Sequence, residues 1–122
     1  MAPDFNLSSA YVGANAQVLT VAGDLDVATA PALQAELVRA SEERANQVVV
    51  DLLGVPFIDS VGLGILVEAA KRLKARGGRL RFVCEDRRVA RVIEITGLGG
   101  LVRLHPTLRE ALESLEQTAA VR

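Results

Sequence analysis

Gln47–Arg76 reads QVVVDLLGVPFIDSVGLGILVEAAKRLKAR, a strand, a turn and a helix in succession. Gln47-Val48-Val49-Val50-Asp51-Leu52 is a β-branched run without polar alternation, the pattern of a strand covered on both faces. Gly54 and Pro56 break the run, and a helical pattern opens at Asp59-Ser60 and closes at Gly77-Gly78. Leu63, Leu66, Val67, Ala70 and Leu73 follow its 3.6-residue period, while Lys71, Arg72 and Lys74 fall outside the stripe, where cations in the last turns suit the helix dipole. Ser60 is placed to cap this helix. Gly62 and Gly64 sit in its first turn, where each glycine costs about 1 kcal/mol relative to alanine. Such a pair either lets another molecule's backbone come close to the Ser60 hydroxyl or permits tight helix–sheet packing.

Around this unit the pattern alternates. Phe5, Leu7 and Tyr11 suggest an edge strand, turned at Gly13-Ala14-Asn15 into a hairpin partner, Val18-Leu19-Thr20-Val21-Ala22. Gly23-Asp24-Leu25-Asp26 ends that strand. A helix follows with Thr29 as its cap, Pro31 in its first turn, and Leu33, Leu37 and Val38 inward; Ser41-Glu42-Glu43-Arg44 ends it. Beyond the central unit, Leu80-Arg81-Phe82-Val83-Cys84 is a fourth strand. Asp86 caps a helix with Val89, Val92 and Ile93 inward, stopped by Gly97. Leu101-Val102-Arg103-Leu104 reads as a short edge strand. Thr107-Leu108-Arg109-Glu110 is a capping box that opens a last helix through Leu108, Leu112 and Leu115. Strands alternating with helices predict an α/β domain with a mixed, mostly parallel sheet of four to five strands and about four helices, the first strand antiparallel at one side. Functional loops of such sheets lie beyond the carboxyl ends of the strands. Gly23–Asp26 and Asp59-Ser60 both fall there, and share one surface if their strands are neighbours.

Composition narrows the function. A chain of 122 residues is expected to form a single domain over 1–122, and with half its residues apolar it is not disordered. Fourteen basic and fifteen acidic side chains give a formal charge of −1, so no basic field points to nucleic acid or an anionic membrane. The apolar runs are too short to span a bilayer. Met1–Phe5 has neither a basic nor an apolar segment of a signal peptide. The single cysteine, Cys84, forms no internal disulfide and reads as a small buried hydrophobe. Together these predict a cytoplasmic protein.

Catalysis finds no partners. A nucleophile elbow needs glycine two residues before the serine, where this chain has Ile58. The only histidine, His105, lies beside Pro106 and reads as a surface residue rather than a base for Ser60. No phosphate-binding loop is present, and one Cys with one His makes no zinc site, so neither a cofactor nor a metal is expected. The lysines, Lys71 and Lys74, both lie on the second helix, which excludes the active-site lysine of a phosphoacceptor receiver domain. Ser60 is then a helix cap or a residue acted upon by another protein, and spacing leaves both open. Asp59 likewise caps the helix or positions Ser60, and Asp24 and Asp26 are turn residues or part of a partner-facing surface.

Asp59-Ser60-Val61-Gly62-Leu63-Gly64, preceded by Pro56-Phe57-Ile58, resembles the signature of anti-sigma-factor antagonists, the STAS-domain family. Gly23-Asp24-Leu25-Asp26 is similar to that family's Gly-Glu-Leu-Asp turn. Val92-Ile93-Glu94-Ile95-Thr96-Gly97-Leu98 and His105-Pro106-Thr107-Leu108 have the family look, while Gly99-Gly100 departs from its more polar residues. The resemblance implies a STAS fold and a binding protein rather than an enzyme, with Ser60 phosphorylated by an anti-sigma factor that is also a serine kinase. It implies partner switching in transcription regulation. Unmodified, the chain binds the kinase and frees a sigma factor; phosphorylated, it lets go until a serine phosphatase resets it. Asp24, Asp26, Asp59, Ser60, Val61, Gly62, Leu63 and Gly64 are the expected partner-binding residues. The alternative within the fold is a STAS subunit of a stress-signalling or transporter-associated complex that binds whatever the state of Ser60.

Overall fold

The computed structural model describes residues 4–13, 16–43, 47–95 and 103–120, the side chains of 117–120 excepted. Five strands and four helices alternate after an opening hairpin: β1 (Asn6–Val12), β2 (Ala16–Ala22), α1 (Ala30–Glu42), β3 (Gln47–Gly54), α2 (Ser60–Ala75), β4 (Arg79–Val83), α3 (Arg87–Ile95), β5 (Arg103–His105) and α4 (Leu108–Ala120). The strands form one sheet in chain order, β1-β2-β3-β4-β5. β1 runs antiparallel to β2, and every later pair is parallel.

Strand alternation explains the two layers. Leu19, Val21, Val48, Val50, Leu52, Leu80 and Phe82 point to one face, where α1, α2 and α3 cover them with Leu33, Leu37, Leu66, Leu73, Val89 and Ile93. Val18, Val49 and Val83 point to the other, beneath Ala111 and Leu115 of α4. β3 lies in the middle with helices on both sides, so its valine run needs no polar alternation. Val38, Val92, Leu108 and Leu112 are only half-buried, at the margins of these layers. Cys84 follows β4 and is buried, and burial pushes its thiol pKa up. The Asp86 carboxylate accepts from the Arg88 amide at 2.8 Å, and Thr107 Oγ1 from the Glu110 amide at 3.1 Å, so α3 and α4 begin at the expected caps.

Two expectations change. His105 is not a surface residue: it ends β5, half-buried, and its Nε2 has no hydrogen-bond partner among the described residues. Burial and the nearby Arg81 guanidinium lower its pKa below the usual imidazole value. Thr29 stands at the α1 boundary but its side chain caps no helical amide. The turn at Ala14-Asn15, the end of α1 at Arg44, the stop at Gly97, the Gly99-Gly100 loop and the strand residues Leu101-Val102 lie outside the described residues.

Candidate functional site

β2 and β3 are parallel neighbours, so the loops that leave them emerge at the same end of the sheet. The first loop turns at Gly23, whose φ of +93° suits glycine, and an added Cβ there would come within 2.8 Å of Phe5 Cα. The two loops are then joined through their backbones. Gly23 donates to Gly54 at 2.9 Å, Leu25 to Phe57 at 2.9 Å, and Asp59 back to Leu25 at 3.1 Å, making a Leu25–Ile58 parallel bridge. Leu25 and Ile58 are both buried beneath this bridge. The expected shared surface is therefore one bonded unit.

Asp59 holds that unit to α2. One carboxylate oxygen accepts the Gly62 amide at 2.9 Å, and the other accepts the Val27 amide at 3.2 Å. The first bond is an N-cap, so Asp59, not Ser60, caps the helix. A carboxylate at this end also suits the positive end of the helix dipole. Ser60 becomes the first helical residue and is exposed. Among the described residues nothing hydrogen-bonds to its hydroxyl. Capping by the neighbour is what leaves the serine free.

The two glycines part company. Gly62 is buried, and an added Cβ would lie 2.7 Å from the Leu25 carbonyl oxygen and 2.8 Å from Leu25 Cγ. Its bareness serves the close approach of α2 to the first loop, so packing within the chain accounts for this glycine. Gly64 is exposed, and a Cβ there would meet nothing within 4 Å. It lies one turn beyond Ser60 on the same side of the helix, so its missing side chain widens access to the serine.

The carboxylates divide in the same way. Asp26 Oδ1 accepts the Ala28 and Thr29 amides at 3.0 and 3.1 Å, shaping the loop before α1. Asp26 and Asp59 are thus half-buried loop-formers, Asp59 with both carboxylate oxygens engaged and Asp26 with one. Asp24 is half-buried and holds the loop through its backbone carbonyl, which accepts from Thr29 Oγ1 at 2.7 Å. Leu63 and Ile65 pack against the core, whereas Val61 is exposed. Ser60, Val61 and Gly64 are exposed on this face, Asp24 and Leu63 are half-buried, and Gly62 is buried.

Sequence reasoning missed two residues there. Val27 is 67 % exposed and Phe57 51 % exposed, one on each of the bridged loops. With Val61 they place apolar surface beside Ser60, and Phe57 borders a groove of about 180 Å³ shared with Arg88, Val89 and Val92 of α3. Their signal was large apolar residues in loops built otherwise of turn-formers. His105 belongs to β5, two strands from β3. No cluster of potential metal ligands occurs among the described residues, and no described helix is long and apolar enough to cross a membrane.

The family model described as STAS domain matches residues 9–111. The anti-sigma-B factor antagonist of Bacillus subtilis is 36% identical over 84 residues, 69% of this chain and 76% of that protein. The anti-sigma-F factor antagonist RsfA of Mycobacterium tuberculosis is 30% identical over 102 residues, covering 82% of this chain and 80% of that one. Among solved structures, an anti-sigma factor antagonist from Mycobacterium paratuberculosis superposes with a TM-score of 0.83 at 30% identity, covering 93% of this chain and 95% of its own.

Proposed function

The chain belongs to the STAS-domain family, and from that premise we propose that it is an anti-sigma-factor antagonist switched by phosphorylation of Ser60. In its unmodified form it binds an anti-sigma factor with serine-kinase activity and so frees a sigma factor. Phosphorylation ends that binding, and a serine phosphatase restores it. The chain acts here as a binding partner and a substrate, not as an enzyme. The observation that carries the reading is the exposed, unengaged Ser60 hydroxyl at the start of a helix whose cap is already supplied by Asp59.

The docking face consists of Ser60, Val61, Gly64 and Asp24 with the exposed Val27 and Phe57. Apolar surface supplies the contact energy, at about 25 cal/mol per Å² removed from water. A phosphate on Ser60 adds about −1.5 to −2 charges in the middle of that face. Opposite one partner carboxylate a few ångströms away, it costs roughly 4–8 kcal/mol at an effective dielectric near 20, before screening. A quarter of that weakens binding about tenfold. The helix itself tolerates the group, since an anion at a helix N-terminus is favoured by about 0.3–1 kcal/mol. The switch therefore acts at the surface and leaves the fold intact.

Incubation with the cognate kinase and ATP, followed by intact-mass measurement, tests this directly. One phosphate is expected on the wild-type chain and none on Ser60→Ala, with Thr29 unmodified in both. Ser60→Asp is expected to keep its circular dichroism spectrum and to bind the kinase at least about tenfold more weakly. A chain that binds equally well with and without the phosphate is instead a constitutive STAS subunit of a larger complex. A Ser60→Asp variant with a melted spectrum would overturn the surface mechanism.

A further inference from the structure

β1 ends the sheet, pairing only with β2 among the described strands. Six of its seven residues are exposed, so nothing described covers it. A sheet edge presents a row of unpaired N–H and C=O groups, and native chains blunt such edges with short length, charge, proline or bulges. The opposite edge follows that rule: β5 is three residues long, begins at Arg103 and runs into Pro106. β1 does not. Asn6–Val12, NLSSAYV, has no charge and no proline, and its register with β2 is unbroken from Asn6↔Ala22 to Val12↔Ala16.

The strand is also self-complementary about Ser9. Laid antiparallel on a second copy with a two-fold axis at Ser9, it places Leu7 opposite Tyr11, Ser8 opposite Ala10 and Asn6 opposite Val12. Leu7 and Tyr11 are on the α1 side of the sheet, as their β2 partners Val21 and Gln17 show. An aliphatic–aromatic pair across strands is a favourable contact. Tyr11 is 61 % exposed yet already fixed, its hydroxyl donating to Glu43 Oε1 at 3.0 Å, an oxygen that Arg39 also holds at 3.1 Å. Serine and alanine at the centre of the strand admit a close neighbour. With no charge along it, self-pairing meets no repulsion.

We propose that two copies of this chain pair edge to edge through β1, giving one sheet continuous across the dimer. Antiparallel pairing points the carboxyl ends of the parallel strands in opposite directions in the two copies. The two Ser60 faces then lie at opposite ends of the assembly, and neither is covered. The dimer presents two independent docking faces and forms whatever the state of Ser60.

Sedimentation of the full chain tests the pairing. Twice the chain mass is expected for the wild type and equally for Ser60→Asp, which separates loss of the dimer from loss of kinase binding. Ser9→Lys changes an exposed residue and sets two like charges across the axis; it is expected to weaken the dimer several-fold with an unchanged circular dichroism spectrum. In a Cys84→Ala background, Ser9→Cys is expected to form a disulfide-linked dimer on mild oxidation. Asn6→Cys, far from its own copy across the axis, is expected to stay unlinked. A wild-type monomer at the concentration of an NMR sample would overturn the proposal. So would a dimer indifferent to Ser9→Lys, or cross-linking at position 6 in preference to position 9.

Discussion

Thr29 and Ser60 stand at the starts of α1 and α2, on loops that leave neighbouring parallel strands at one end of the sheet. Both are hydroxyl residues shortly after an aspartate, and either could be read from sequence as a helix cap. Their fates differ. Thr29 Oγ1 donates to the Asp24 carbonyl at 2.7 Å and accepts from the Asp26 amide at 3.0 Å, which locks it into its own loop. Ser60 has Asp59 immediately before it, and that carboxylate takes the capping bond a hydroxyl would otherwise make. A side-chain hydroxyl at a helix start is thus structural or available according to what precedes it. The loop around Thr29 spends its hydroxyl on itself.

The largest effect that tests this contrast belongs to Gly62. If the Ser60 end is held by the close approach of α2 to Leu25, then Gly62→Ala forces a Cβ to within 2.7 Å of a backbone oxygen that cannot simply rotate away. Overpacking of this kind costs typically 1–3 kcal/mol, and chemical denaturation is expected to show a loss of about 3 kcal/mol, at the top of that range. An Ala variant as stable as the wild type would mean that the two loops are not packed as a unit. Next comes Asp59. Asp59→Ala removes both the cap and the bond to Val27, with an expected loss of about 1–2 kcal/mol. Asp59→Asn keeps a capping oxygen and is expected to restore most of the stability. Without the carboxylate, Ser60 is free to fold back as the cap itself, so phosphorylation of Asp59→Ala is expected to slow along with the loss of stability.

The architecture was legible because its signals are local and redundant. The valine run of β3 marks a strand buried on both sides, the alternation of strand and helix gives a parallel sheet, and Asp86 and Thr107 announce their helices by capping chemistry. For the candidate site, the meeting of the two loops was legible, but not the part each residue plays in them. Adjacent cap candidates, Asp59 and Ser60, differ by one residue in register, and only backbone dihedrals decide which one stays outside the helix. The two glycines share a turn of the same helix, yet one faces Leu25 and the other solvent, a distinction set by how α2 is rotated about its axis. Val27 and Phe57 escaped because exposure of an apolar loop residue depends on what packs over it. His105 was misplaced because the edge strand read at Leu101–Leu104 runs one residue further, and so short a run does not fix its own boundary.

The smallest effect on stability is the most discriminating, because stability and function are expected to move in opposite directions. Gly64 is exposed and an added Cβ meets nothing in the chain, so Gly64→Ala is expected to stabilise α2 by up to about 1 kcal/mol through helix propensity alone. A glycine kept at that cost serves no need of the fold visible at this position. If its role is to let the kinase reach Ser60, the same methyl group stands one turn away on the same side of the helix, in the path of the approaching active site. Gly64→Ala is then expected to melt at a higher temperature than the wild type while accepting phosphate several-fold more slowly. An equal rate in the more stable variant would remove Gly64 from the docking face and leave Val61, Val27 and Phe57 to define it.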